Sequence, residues 1–121
     1  MDTREKILTG AAAAARIAEW RAAGHDVQIA AGWFDPLLAA SATSLAAWKR
    51  PGARLAVILA DPPDAILAPR ARAEMVAALR VVDAVVPAAE AGSLPPAERD
   101  FGPDHELLRA GLIDHVLRRM S

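Results

Sequence analysis

The 121-residue chain contains no cysteine. Disulfides, thiol nucleophiles and thiolate metal sites are therefore excluded. No apolar run comes near the roughly 18 residues that a membrane span requires, so no membrane partner is expected. The opening "MDTREK" carries acids and no apolar segment, which predicts no secretory leader. Charge of one sign is also missing: 14 Lys and Arg stand against 15 Asp and Glu, a formal net charge of −1. Nucleic-acid binding normally shows as a basic surplus, so nucleic acid is not expected as a partner either. A cytoplasmic protein is the expectation these absences leave.

What is present fits one small domain. The apolar fraction of 54% is inflated by alanine runs such as "AAAAA" at 11–15. Residues 3–23 read as a helix: Thr3 is a cap, alanines dominate, and "AAGHD" supplies a glycine stop. "DVQIAAGW" alternates and then turns small, as a strand entering a tight turn does. Residues 36–48 return to helical spacing, with Leu38, Ser41, Leu45 and Trp48 on one face. "RPGARLAVILAD" predicts a turn and a buried parallel strand. "DPPDAILAP" reads as a loop, 70–80 as a helix and "VDAVVPA" as a third short strand. The proline- and glycine-rich segment 89–103 reads as a loop. Asp104 then caps a last helix over 104–120, with Leu108, Leu112, Val116 and Met120 at four-residue spacing. Strand-helix-strand-helix-strand with short loops predicts an α/β, Rossmann-like three-layer sandwich with a parallel sheet of three strands.

The turn "GWFDP" after the first strand is the place to look for chemistry. Ligands of open α/β sheets gather at the carboxyl ends of strands, and helix N-termini there favour phosphate. Gly32 admits close backbone approach, Asp35 is placed to cap the next helix, and Pro36 suits its first turn. The turn holds neither histidine nor lysine.

"KILT" at 6–9, "AEWRAAGHDVQIAAGWFDPLLAAS" at 18–41, "GARLAVIL" at 52–59 and "RAEMVAALRVVDAVVP" at 72–87 carry a resemblance. Together they are similar to the cytidylyltransferase-like nucleotidyltransferases, and most resemble the adenylyltransferases acting on heptose 1-phosphate. The similarity runs over residues 6–88 and preserves the order of elements. The resemblance implies a nucleotide-binding turn made by Gly32, Trp33, Phe34 and Asp35, with Ser41 and Arg72 as further candidates.

The departures bear on activity. The family's H-x-G-H pair stabilises charge on departing pyrophosphate, and its histidine positions hold Leu38 and Ser41 here, with Ala40 in place of the glycine. Losing one preorganised donor typically costs about 10²–10³ in rate, so the resemblance implies transfer nearly abolished. Ala30 and Ala31 replace the family's Thr-Asn, and Trp33 replaces its cysteine. The family's G-G-D strand, the strand after it and the S-T-T-x-x-x-x-R helix start have no counterpart. The implied strand order is 3-2-1-4-5, so without strands four and five the first strand becomes an edge, to be covered by the last helix or a second copy.

The expectation is thus a degenerate, non-catalytic nucleotidyltransferase-like module that forms a homodimer and retains at most some affinity for a nucleotide or sugar phosphate. The alternative is a divergent transferase acting on a sugar or polyol phosphate through Ser41 and Arg72. No cofactor is expected, magnesium entering only with a bound nucleotide. His25, His105 and His115 read as surface groups, the last two being ten apart and so roughly 80° from sharing a helix face. Asp61, Asp64, Asp100 and Asp104 read as loop caps and turns. "KRPGAR" at 49–54 is a short basic turn.

Overall fold

A computed structural model describes residues 2–120. Its centre is a sheet of four parallel strands, β1 (Val27–Gly32), β2 (Arg54–Leu59), β3 (Ala84–Pro87) and β4 (Arg99–Asp100), in the order β3-β2-β1-β4. The helices are α1 (Gly10–Ala22), α2 (Ala39–Trp48), α3 (Pro69–Ala77) and α4 (Gly102–Met120).

Side chains alternate across the strands and divide the core in two. Ala30, Leu55, Val57, Leu59 and Val85 face one way, onto Leu45 of α2 and Val76 of α3. Ile29, Ala56, Ala84 and Val86 face the other, onto Ala13 and Ile17 of α1. Each fully buried Leu, Ile or Val contributes about 1.5–3 kcal/mol, so these strands are held by both layers. Gln28, the polar member of β1, is wholly buried and clamps the turn that ends α2. Its Nε2 donates to the Trp48 carbonyl at 3.3 Å, and its Oε1 accepts from Arg50 N at 2.6 Å.

The α/β class and the helix-flanked parallel sheet agree with the sequence. The strand count and the loop over 89–103 do not: a 3-10 segment spans Ala88–Ser93, and β4 follows. Neither exposed residue of β4 carries an apolar signal. It is a strand because β1 offers it an open edge. Ala30 pairs with Arg99 and Ala31 with Asp100, while Glu98 N donates to the Ile29 carbonyl and Phe101 N to the Ala31 carbonyl, each at 2.7 Å. Phe101, 1% exposed, anchors the segment in the core. The outer edge of β1 is therefore covered here by the chain's own fourth strand.

The N-terminal helix also begins later than expected. Thr3–Lys6 is a 3-10 turn, Ile7 forms a bridge to Val85, and Thr9 rather than Thr3 caps α1, its side chain accepting from Ala12 N. The apolar pair Ile7-Leu8 packs against the sheet, and helix begins only once it has passed.

Candidate functional site

At β1 the strand order reverses, with β2 on one side and β4 on the other. The carboxyl end of such a switch point is where open α/β sheets receive ligands. Residues 33–36 leave β1 at this point, and the first turns of α4 lie over them.

His105 makes the closest contact. Its Nδ1 accepts from the backbone N–H groups of Trp33 at 3.0 Å and Phe34 at 3.3 Å. An accepting ring nitrogen carries no proton, which assigns the neutral imidazole's proton to Nε2. That atom is buried and has no hydrogen-bond partner among the described residues. The ring lies 4.3 Å from the Phe34 centroid and stacks on Phe101 at 6.1 Å. Burial holds its pKa below the ordinary imidazole value, against the opposing charges of Asp104 and Asp100.

The turn is shaped around this ring. Phe34 is 1% exposed and has φ 48°, a left-handed conformation uncommon for a bulky residue. A Cβ at Gly32 would lie 2.6 Å from His105 Cε1 and 2.9 Å from Phe34 Cε2. The glycine admits the imidazole.

Asp35 is buried, and it does not cap α2 as its position suggested. Its two carboxylate oxygens accept from Ile66 N and Leu67 N, both at 2.7 Å, and α2 begins at Ala39 with no side-chain cap. Arg109, one helical turn beyond His105, sets its Nε 3.4 Å from Asp35 Oδ2, and its NH2 donates to the Asp64 carbonyl. The carboxylate is committed to the loop after β2, which is why it is absent from the helix start.

Arg72 is 0% exposed. Its guanidinium donates to the carbonyls of Leu67 (3.2 Å), Trp33 (3.3 Å) and Ala60 (2.9 Å), and to Asp61 Oδ1 at 2.5 Å. Asp61 itself remains 68% exposed. Trp33 is half-buried and takes part through its backbone. Ser41 is buried in the first turn of α2, Ala40 is exposed and Leu38 half-buried.

Gly32, Trp33, Phe34, Asp35 and Arg72 are thus drawn into one cluster, and the Ser41 side chain takes no part in its hydrogen bonds. Opposite charges in it meet, Asp35 with Arg109 and Arg72 with Asp61. The turn amides that an anion would use already donate to His105. His105 and Arg109 escaped the sequence reading, and the surface role expected of His105 is corrected by its 4% exposure. The signal was its spacing, four residues after Phe101 and three before Leu108, on the buried stripe of α4. His25 and His115 are exposed.

Among the described residues no group of three or more His, Asp or Glu is placed to hold a metal ion, and no helix is long and apolar enough to cross a membrane. Comparison with family models, curated proteins and solved structures finds no match to this chain.

Proposed function

We propose that the chain is a degenerate nucleotidyltransferase-like protein without catalytic activity, serving as a binding or interaction module. The observation that carries this reading is His105 seated on the Trp33 and Phe34 amides, at the point where a sheet of this kind receives its ligand. The strand order supports it, since β3-β2-β1-β4 follows the first four places of the order implied by the resemblance. Leu38 and Ser41 at the histidine positions support it from the chemistry. A nucleotide or sugar phosphate at this turn must displace the first turns of α4, which limits any residual affinity, and magnesium enters only with that ligand.

Two measurements test the reading. On titration with magnesium ATP, followed by amide NMR, the Trp33 and Phe34 signals stay in place, and no pyrophosphate is released when a sugar phosphate is added. The triple substitution Leu38→His, Ala40→Gly, Ser41→His leaves both results unchanged, because His105 still fills the turn. Shifts at these two amides together with pyrophosphate release would establish the divergent transferase instead.

The module reading includes a homodimer, now on different grounds. β4 covers the β1 edge, and the second half of α4 exposes Ile113, Val116 and Met120 along one stripe. A second copy of the chain is the partner this stripe fits, through a two-fold contact between helices. Light scattering on a sized sample gives a dimer at micromolar concentration, and Val116→Glu with Met120→Glu converts it to monomer. A wild-type monomer throughout that range removes the homodimer.

A further inference from the structure

A second feature lies at the opposite, amino end of the sheet and goes beyond the reading above. A cleft of about 650 Å³ is lined by Lys6, Arg16, Trp20, Arg54, Arg80 and Asp83, together with the outer residues Asp2 and Glu5. A second cleft of about 390 Å³ shares Arg54, Arg80 and Asp83 with it and adds Lys49. The volume suits a small ligand rather than a single ion. The short basic turn "KRPGAR" thus contributes two of its cations, Lys49 and Arg54, to a groove whose others come from distant parts of the chain.

The cations lining the larger cleft, Lys6, Arg16, Arg54 and Arg80, outnumber its acids, Asp2, Glu5 and Asp83, although Lys6 Nζ already donates to the Leu79 carbonyl. Asp2 is held by both Nε and NH2 of Arg4. Asp83 accepts from Leu55 N at 2.9 Å and meets Arg54 NH1 only at 3.8 Å. Arg16 and Arg80 have no ion-pair or hydrogen-bond partner among the described residues. Arg54 Nε is buried and donates to nothing among them. Cations commonly follow helix C-termini to offset the dipole, which accounts for Lys49 after α2 and Arg80 after α3. It does not account for Arg16 in the middle of α1, nor for the orphaned Arg54 donor. Arg16 and Trp20 stand four apart, so the guanidinium and the indole share one helix face.

We propose that this groove binds an oligophosphate, a ligand with two or more linked phosphate groups. Arg16, Arg54 and Arg80 grip its oxygens, and Trp20 forms the wall against which the rest of the ligand lies. Guanidinium forks match phosphate geometry and are weakly hydrated, so three of them around one cleft select this chemistry over a halide or a lone carboxylate.

Calorimetry and amide NMR with sodium pyrophosphate on the full chain test the proposal. Saturable binding is expected at low salt, weakening at least about tenfold in about 0.5 M salt as the charges are screened. The shifted amides are those of Arg80, Val81 and Asp83, with Trp33 and Phe34 unmoved, so the result is separable from the test of the carboxyl-end turn. Arg80→Gln and Arg16→Gln, both at solvent-accessible positions, each reduce affinity about tenfold and leave the far-ultraviolet spectrum unchanged. The proposal is overturned if millimolar pyrophosphate produces no saturable change, or if both variants bind as the wild type does. Citrate binding as tightly as pyrophosphate would overturn the assignment to phosphate.

Discussion

Gly32 and His105 are sterically interlocked: a Cβ on the glycine would stand 2.6 Å from the Cε1 of the imidazole and 2.9 Å from its Nδ1. A ring packed between Phe34 and Phe101 has little room to retreat. Gly32→Ala is therefore expected to cost about 1–3 kcal/mol, the usual range for overpacking. His105→Ala costs about 3 kcal/mol, through the buried Phe34 amide and the part-buried Trp33 amide left without an acceptor and a cavity beside Phe34. The double variant loses at least about 1 kcal/mol less than the sum, because the alanine methyl then occupies vacated space. Urea denaturation of the four proteins measures the cycle, and strict additivity would show that the two sites are independent.

The same histidine makes stability depend on pH. Burial lowers its pKa in the fold, so below the ordinary value of about 6.5 the unfolded chain binds the proton more readily. The stabilisation from His105 is complete above that value and is lost as pH falls toward the lower folded pKa. Protonation also removes the Nδ1 lone pair that accepts from Trp33 and Phe34. The stability difference between wild type and His105→Ala is expected to be largest at pH 8 and to shrink by about pH 5. Other titrating groups are common to both proteins and cancel in the difference. A gap that stays constant across that range would place the charge change elsewhere.

Particular residues show how far the chain's order was legible. The three main strands announce themselves because each is largely buried on both faces and built mostly from Val, Ile, Leu and Ala, with Gln28 the buried polar exception. Arg99 and Asp100 carry no such signal, since their strand character comes from the open edge of β1 and the anchor at Phe101. The turn at Gly32–Asp35 was equally visible, but side-chain type says nothing of the partner. Asp35 and Arg72 looked available to a ligand, and both are committed to backbone within the fold. His105 meets Trp33 across 72 residues of sequence, and only the return of the chain past β1 through β4 brings the two together.

Arg72 and Asp61 differ in burial, 0% against 68%, and that asymmetry predicts their separate contributions. The amide oxygen introduced by Asp61→Asn still accepts from Arg72 NH2, so this change removes the charge but keeps the hydrogen bond and costs about 1 kcal/mol. Arg72→Lys removes the fork that serves three carbonyls at once and is expected to cost about 3 kcal/mol or more. Thermal and urea unfolding of the two variants decide the matter. Equal costs would mean that the ion pair, and not the clamp on Trp33, Ala60 and Leu67, is what Arg72 provides.

Asp35 and Arg109 join the loop after β2 to α4, and their coupling tests whether that helix is held over the turn from both of its first turns. Asp35→Ala releases the Ile66 and Leu67 amides and is expected to cost about 2–4 kcal/mol. Arg109→Ala removes the ion pair at 3.4 Å and the bond to the Asp64 carbonyl. Since the two contacts share one carboxylate, the double variant should show a coupling of about 1 kcal/mol. Local stability gives the second readout. With Arg109 gone, α4 keeps its first-turn anchors, at His105 and in the Arg99–Asp104 pair, so amide exchange should accelerate along the second half of α4 while β1 and β2 keep their protection. Acceleration throughout the sheet would mean that α4 is part of the global folding unit, and its first turns could not then leave the Trp33–Phe34 amides without unfolding the domain.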